Sequence, residues 1–135
     1  MSRGFKDRRF VVSYLYTYLV FYILNDAHKL DDTTQAIIKE AIFRVCDLNG
    51  GQLIIFEYEP HCINFIVRYP ATISVSSLVN RFKSASTKAL KREASGMLSV
   101  DEGVFWSASY AAYSVDPTCL KNPCEMLNAR TISQL

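Results

Sequence analysis

Two runs of strand-forming residues, QLIIFEYE (52–59) and CINFIVRY (62–69), are separated only by Pro60 and His61. A link this short joins two strands only as antiparallel neighbours, because a parallel pair needs a crossover of a dozen or more residues. Pro60 breaks the first run and Pro70 closes the second. The rest of the chain must be built around this hairpin.

Residues 11–24 read as a further strand. With period two, Leu15, Leu19, Phe21 and Ile23 fall on one side, and Tyr14, Tyr16, Tyr18 and Tyr22 on the other. One face is aliphatic core and the other a tyrosine stripe. The same run, FVVSYLYTYLVFYIL after Arg8-Arg9, imitates a signal peptide or membrane segment. This tyrosine-loaded run of 15 residues falls short of the roughly 20 that a spanning helix needs, and it has no small-residue cleavage site. We therefore expect no membrane partner and a cytoplasmic protein.

Asp32-Thr-Thr-Gln35 has the spacing of a capping box. It opens a helix with Ile38, Ala41, Ile42 and Val45 on one face, and Gly50-Gly51 ends it. After Pro70, residues 75–94 form a second helix whose apolar side includes Val75, Leu78, Val79, Phe82 and Ala85. Met97–Glu102 is a loop, VFWSASYAAYSV (104–115) a fourth strand, and Cys124–Leu135 a short C-terminal helix beyond the breaks at Pro117 and Pro123. The order strand, helix, strand, strand, helix, strand predicts an α+β, ferredoxin-like βαββαβ fold with a four-stranded antiparallel sheet. Both helices would cover one face, leaving the other for function. The 135 residues make one domain, 1–135, and 50% hydrophobic content is enough for a core.

A formal net charge of +2 does not by itself argue for a nucleic-acid partner. Arg3, Lys6, Arg8 and Arg9 crowd the N-terminus, and Arg81, Lys83, Lys88, Lys91 and Arg92 crowd the second helix. The second group reads as a solvated helix face or as a phosphate-binding surface. The four cysteines, Cys46, Cys62, Cys119 and Cys124, form no C-x-x-C pair and read as reduced thiols. No recognised zinc spacing joins them to His28 or His61.

Three segments carry a family resemblance. Tyr69-Pro70, then Ser74-Val75-Ser76-Ser77-Leu78-Val79 with Phe82-Lys83-Ser84, then Trp106-Ser107-Ala108-Ser109-Tyr110 resemble the small single-tyrosine, HUH-type transposases of the insertion-sequence-200-like family. The likeness covers about residues 14–134. It implies a metal-dependent nuclease acting on single-stranded DNA. In that family two histidines and a glutamine hold a divalent metal, a tyrosine four residues before the glutamine attacks the phosphorus, and dimers bind DNA hairpins.

Carried onto this chain, the two histidine positions fall on Cys62 and Asn64, with His61 where the family has aspartate. Gln134 stands at the glutamine position, and Arg130 at that of the nucleophile. Arginine stays protonated and cannot form the covalent intermediate. The basic stretch that follows the family's first strand is replaced by Ile23-Leu24-Asn25-Asp26-Ala27, which weakens phosphate neutralisation. Cysteine and asparagine are poor magnesium ligands, so no cofactor is expected unless the family activity is retained with magnesium.

These substitutions point to a catalytically inactive, transposase-like protein that binds single-stranded or hairpin DNA or RNA. Tyr14, Tyr16 and Tyr18 beside Arg68 would form a stacking surface, with Lys83 and Arg81 as further contacts. The tyrosine stripe also reads as a homodimer interface or as packing against the C-terminal helix, since tyrosines are favoured at protein interfaces. The alternative function is a homodimeric protein-interaction scaffold without nucleic acid. Active transposition would need unconventional ligands and a different nucleophile.

Overall fold

The two-residue turn at Pro60 and His61 returns the chain on itself, and its carbonyls tie the hairpin to its neighbours. His61 O accepts from Ile23 N at 2.9 Å, and Pro60 O from Leu30 N at 2.9 Å. The computed structural model describes residues 13–24, 29–93 and 105–119. Its elements are β1 (Tyr14–Ile23), α1 (Asp32–Leu48), β2 (Gln52–Glu59), β3 (Cys62–Pro70), α2 (Val75–Glu93) and β4 (Trp106–Ser114), followed by a 3-10 turn at Pro117–Cys119. The expected C-terminal helix lies outside the described residues.

The sheet is antiparallel with strand order β2-β3-β1-β4. This is the ferredoxin-like α+β arrangement expected from the pattern, with the hairpin β2–β3 at one side and β4 at the other edge. Two irregularities bend it. β2 shifts register between Leu53 and Ile55, so Ile54 and Ile55 both pack on the sheet face away from the helices. The β1–β4 register shifts between Phe21 and Ile23: Phe21 faces Tyr110 but Ile23 faces Trp106, which leaves Ser107 to Ser109 as a bulge.

Helix α1 starts one residue earlier than the capping-box spacing suggests. Asp31 is the N-cap, its carboxylate accepting from Thr34 N at 2.7 Å. Gln35 reaches the Asp32 carbonyl instead, at 3.0 Å. The helix ends on Asn49, whose Nδ2 donates to Val45 O at 2.7 Å, and Gly50 supplies the left-handed backbone beyond it with φ 75°. Ile38, Ala41, Ile42 and Val45 are buried as expected. In α2, Leu78, Val79, Phe82, Ala89 and Leu90 are buried.

The main core lies between the two helices and one sheet face. Leu19, Phe21 and Ile23 of β1 meet Ile63, Phe65 and Val67 of β3 there. Phe21 and Phe82 each approach Phe65 edge-on, with ring centroids 5.2 and 5.5 Å away. Leu15, expected in this set, is 47% exposed at the strand end. Inside it Thr17 is buried, its hydroxyl 3.0 Å from that of Tyr69.

The opposite sheet face is not open along its length. Tyr18, Val20, Ile66 and Val115 form a second buried cluster there, with Tyr16, Ile54, Ile55, Cys62, Ala111 and Tyr113 packed against it. Cys46 and Cys62 are free thiols, as expected. No helix among the described residues is long and apolar enough to cross a membrane.

Candidate nucleic-acid interface

Strand register fixes which side chains share the face away from the helices. Tyr16 stands opposite Arg68, Tyr18 opposite Ile66, Val20 opposite Asn64 and Tyr22 opposite Cys62. Directly paired residues of an antiparallel sheet point to one side. The face therefore runs from Tyr14 and Arg68 at one end to Tyr22 and Cys62 at the other.

The Arg68 end is a paired cation and ring. The guanidinium lies over Tyr14, 4.5 Å from its centroid. Its buried Nε has no hydrogen-bond partner among the described residues. Tyr14 is 43% exposed, so its ring remains accessible.

The middle of the stripe departs from the expected stacking surface. Tyr18 is 2% exposed and stacks on Tyr113 at 5.9 Å. A ring so buried offers no free face to a base. The expectation for Tyr18 is corrected on that ground, while Tyr14 and Tyr22 remain exposed and Tyr16 half-buried.

At the other end, Cys62 Sγ points to Asn64 Oδ1 at 3.9 Å. Asn64 is buried at 7% exposure. Burial, with a contribution from Glu59, pushes the Cys62 thiol up to about 11. The thiol is therefore protonated at neutral pH and donates toward the amide oxygen. Burial, then the neighbouring Cys62 and Tyr113, also raise the Tyr22 phenol above its ordinary value.

Two acidic residues missing from the sequence-based site share this end. Glu59 stands opposite Cys62 and Glu57 opposite Asn64. The two-residue turn was the available signal, because it pairs Glu59 with Cys62 directly and Glu57 with Asn64 by parity. Among the described residues no group of three or more His, Cys, Asp or Glu side chains is placed to hold a metal ion.

The two candidate cations of α2 lie on the helix-bearing side, and in separate places. Arg81 donates to Asn49 Oδ1 at the end of α1. Lys83 reaches the sheet edge, where its Nζ donates to Ser107 O at 2.7 Å and Ala108 O at 3.4 Å in the β4 bulge. The same ammonium lies 5.4 Å from the Phe21 ring centroid and 5.3 Å from that of Tyr110. Its desolvation there lowers its pKa. The structure thus brings Tyr14, Tyr16, Arg68, Cys62 and Asn64 to one face, and does not bring Arg81 or Lys83 to it. Arg130 and Gln134 lie outside the described residues.

The Trp-Ser-x-Ser-Tyr segment has a structural account. Trp106 is buried at 3% exposure, and its Nε1 donates to Ser86 Oγ at 2.8 Å, locking the start of β4 to α2. Ser107 and Ser109 bring their hydroxyls within 3.0 Å of each other across the bulge.

The domain is thus a ferredoxin-like βαββαβ unit whose edge strand is anchored by tryptophan. The chain belongs to the family described as "Transposase IS200 like", whose model matches residues 11–126. Among solved structures, it is similar to a "putative transposase" from Deinococcus radiodurans R1, with 17% identity and a TM-score of 0.68, covering 99% of this chain and 96% of that one. It is also similar to a REP-associated tyrosine transposase bound to a REP hairpin, at 16% identity and a TM-score of 0.57. That match covers 86% of this chain and 63% of the other. At these identities the likeness shows a shared fold. No curated protein matches the sequence.

Proposed function

We propose that this chain is a recognition protein of the IS200-like transposase family that binds single-stranded or hairpin nucleic acid without cleaving it. The observation that carries this reading is the pair at the start of β3. Cys62 and Asn64 take the two histidine positions of the resemblance, and they close on each other. A protonated thiol directed at a buried amide oxygen offers no thiolate, and it takes up one of that oxygen's two lone pairs.

A divalent metal of the implied kind fits this donor set badly. Magnesium takes near-octahedral oxygen ligands and discriminates against sulfur. The raised thiol pKa opposes the deprotonation that metal binding requires. We accordingly assign the chain no resident metal and derive no chemistry through one. Arg130, at the nucleophile position, adds to the case because a guanidinium cannot form the phosphotyrosine-like intermediate.

Retained binding is supported by family membership and by the REP hairpin held by a relative of the same fold. On this chain the accessible elements are Tyr14, Tyr16 and Arg68, where a ring and a cation stand together. A second reading, a homodimeric scaffold without nucleic acid, draws on the 41–47% exposure of Tyr14, Leu15 and Tyr22. Large apolar and aromatic side chains at the surface suit a protein partner as well.

The test is binding of the purified protein to pooled single-stranded and hairpin DNA and RNA at two salt concentrations, with and without magnesium. The expected result is salt-sensitive, metal-independent binding with no covalent adduct. Metal-dependent strand cleavage, or a protein–DNA adduct surviving denaturation, would overturn the inactive assignment. Failure to bind in any condition would leave the scaffold reading.

A further inference from the structure

Helix α2 carries five basic side chains and one acidic one. They do not spread evenly around it. Lys83, Thr87 and Lys91 recur every four residues and stand in one line, with Ser84 and Lys88 on the adjoining ridge. Together with Trp106 they line a cleft of about 330 Å³ between α2 and the start of β4. None of the described residues lining it is acidic.

We infer that this ledge binds the sugar–phosphate backbone of a nucleic-acid strand. The inference rests on the nucleic-acid reading above and assigns it a second surface, on the helix side, away from Tyr14 and Arg68. Charge complementarity names the occupant. Lys88 and Lys91 are exposed and pair with no carboxylate among the described residues, whereas Arg44 and Arg92 are engaged by Glu40 and Glu93.

Lys83 is pinned at the inner end of the cleft by the Ser107 and Ala108 carbonyls. Its position is therefore fixed in advance, and one N–H of its three remains for a ligand. The hydroxyls of Ser84 and Thr87 stand between the lysines and can donate to non-bridging phosphate oxygens.

Length argues for a polymer over a single phosphate. Positions 83 to 91 span about 12 Å of helix, which matches three to four phosphates at roughly 3.4 Å per nucleotide of a stacked strand. The aromatic wall argues for backbone over base recognition. Phe105 and Trp106 are 1% and 3% exposed, so they shape the cleft and offer no stacking face. Recognition at this ledge is thus independent of sequence.

The experiment compares the full chain with Lys88→Gln/Lys91→Gln, and with Arg44→Gln on α1 as a control that does not line this cleft. The probe is a random-sequence single-stranded DNA pool titrated over a range of salt. Two lost phosphate contacts should reduce the salt slope by about 1.4, at roughly 0.7 per contact. At 0.1 M salt the double variant should therefore bind on the order of 25-fold more weakly than the unaltered protein, and the difference should close toward 1 M.

Arg44→Gln should leave slope and affinity unchanged. Both lysines are exposed, so circular dichroism should report the same fold. If the unaltered protein binds and the double variant matches it in affinity and slope, the ledge is refuted and the Tyr14–Arg68 face alone stands. If the unaltered protein binds no nucleic acid, both assignments fail together.

Discussion

Replacing Ser86 by alanine should expose how β4 is held to the helical layer. Ser86 is fully buried; its hydroxyl donates to Phe82 O at 2.7 Å and accepts from Trp106 Nε1 at 2.8 Å. Alanine removes that acceptor and leaves a buried indole N–H unpaired. An orphaned buried donor costs about 1–3 kcal/mol, and the better helix propensity of alanine returns about 0.5 kcal/mol. The expected net loss is about 1–2 kcal/mol, or roughly 4 °C of Tm per kcal/mol for a chain of this size.

Urea unfolding measures this directly, and the one tryptophan of the chain makes Trp106 its own fluorescent reporter. The decisive comparison is with Trp106→Phe, followed by far-UV circular dichroism. With no indole N–H to satisfy, Ser86→Ala should cost close to nothing in that background, giving a coupling of about 1–2 kcal/mol. Equal cost in both backgrounds would refute the bond as the source of stability.

Two further outcomes follow from burial and close approach. The Cys62 thiol is pushed up to about 11 and that of Cys46 to about 12, from an ordinary value of 9.0. Above pH 9 the unfolded chain therefore loses protons that the folded chain keeps, so this stabilisation is complete below pH 9 and falls as pH rises through about 11. Urea midpoints should drop over that range, and by less in Cys62→Ser; identical profiles would contradict the thiol's burial. Gly51→Ala would put a Cβ 2.5 Å from the Arg68 backbone oxygen, forcing the start of β2 away from β3 at about 1–3 kcal/mol. Gly50→Ala meets only Pro70 at 3.6 Å and should cost about 1–2 kcal/mol through its left-handed backbone; a Gly51 variant no worse than this one would refute the close approach.

Much of the fold was legible because local signals agreed. The Pro60-His61 link admits one strand geometry, and the alternation in 62–69 correctly sends Ile63, Phe65 and Val67 to the helices and Cys62, Asn64 and Arg68 away from them. The same parity places Tyr14, Tyr16, Tyr18 and Tyr22 together. Parity says which face a side chain takes, and nothing about what lies over that face. Tyr18 is lost as a stacking ring for that reason: Tyr113, Ile66 and Val115 arrive from other parts of the chain. The capping motif misled by one residue because Asp31 and Asp32 are chemically equivalent caps, and only the direction of the incoming backbone chooses between them.

The sequence by itself determined the element order, the antiparallel hairpin, the core faces of both helices and the chemistry available at Cys62 and Asn64. These depend on residue type and on periods of two and 3.6, which are properties of neighbours along the chain. The tertiary structure alone decided that Cys62 closes on Asn64, and that Lys83 turns to the β4 bulge while Arg81 turns to α1. Burial and partnership are set by residues tens of positions away, and a charge acquires its role only when those residues are in place.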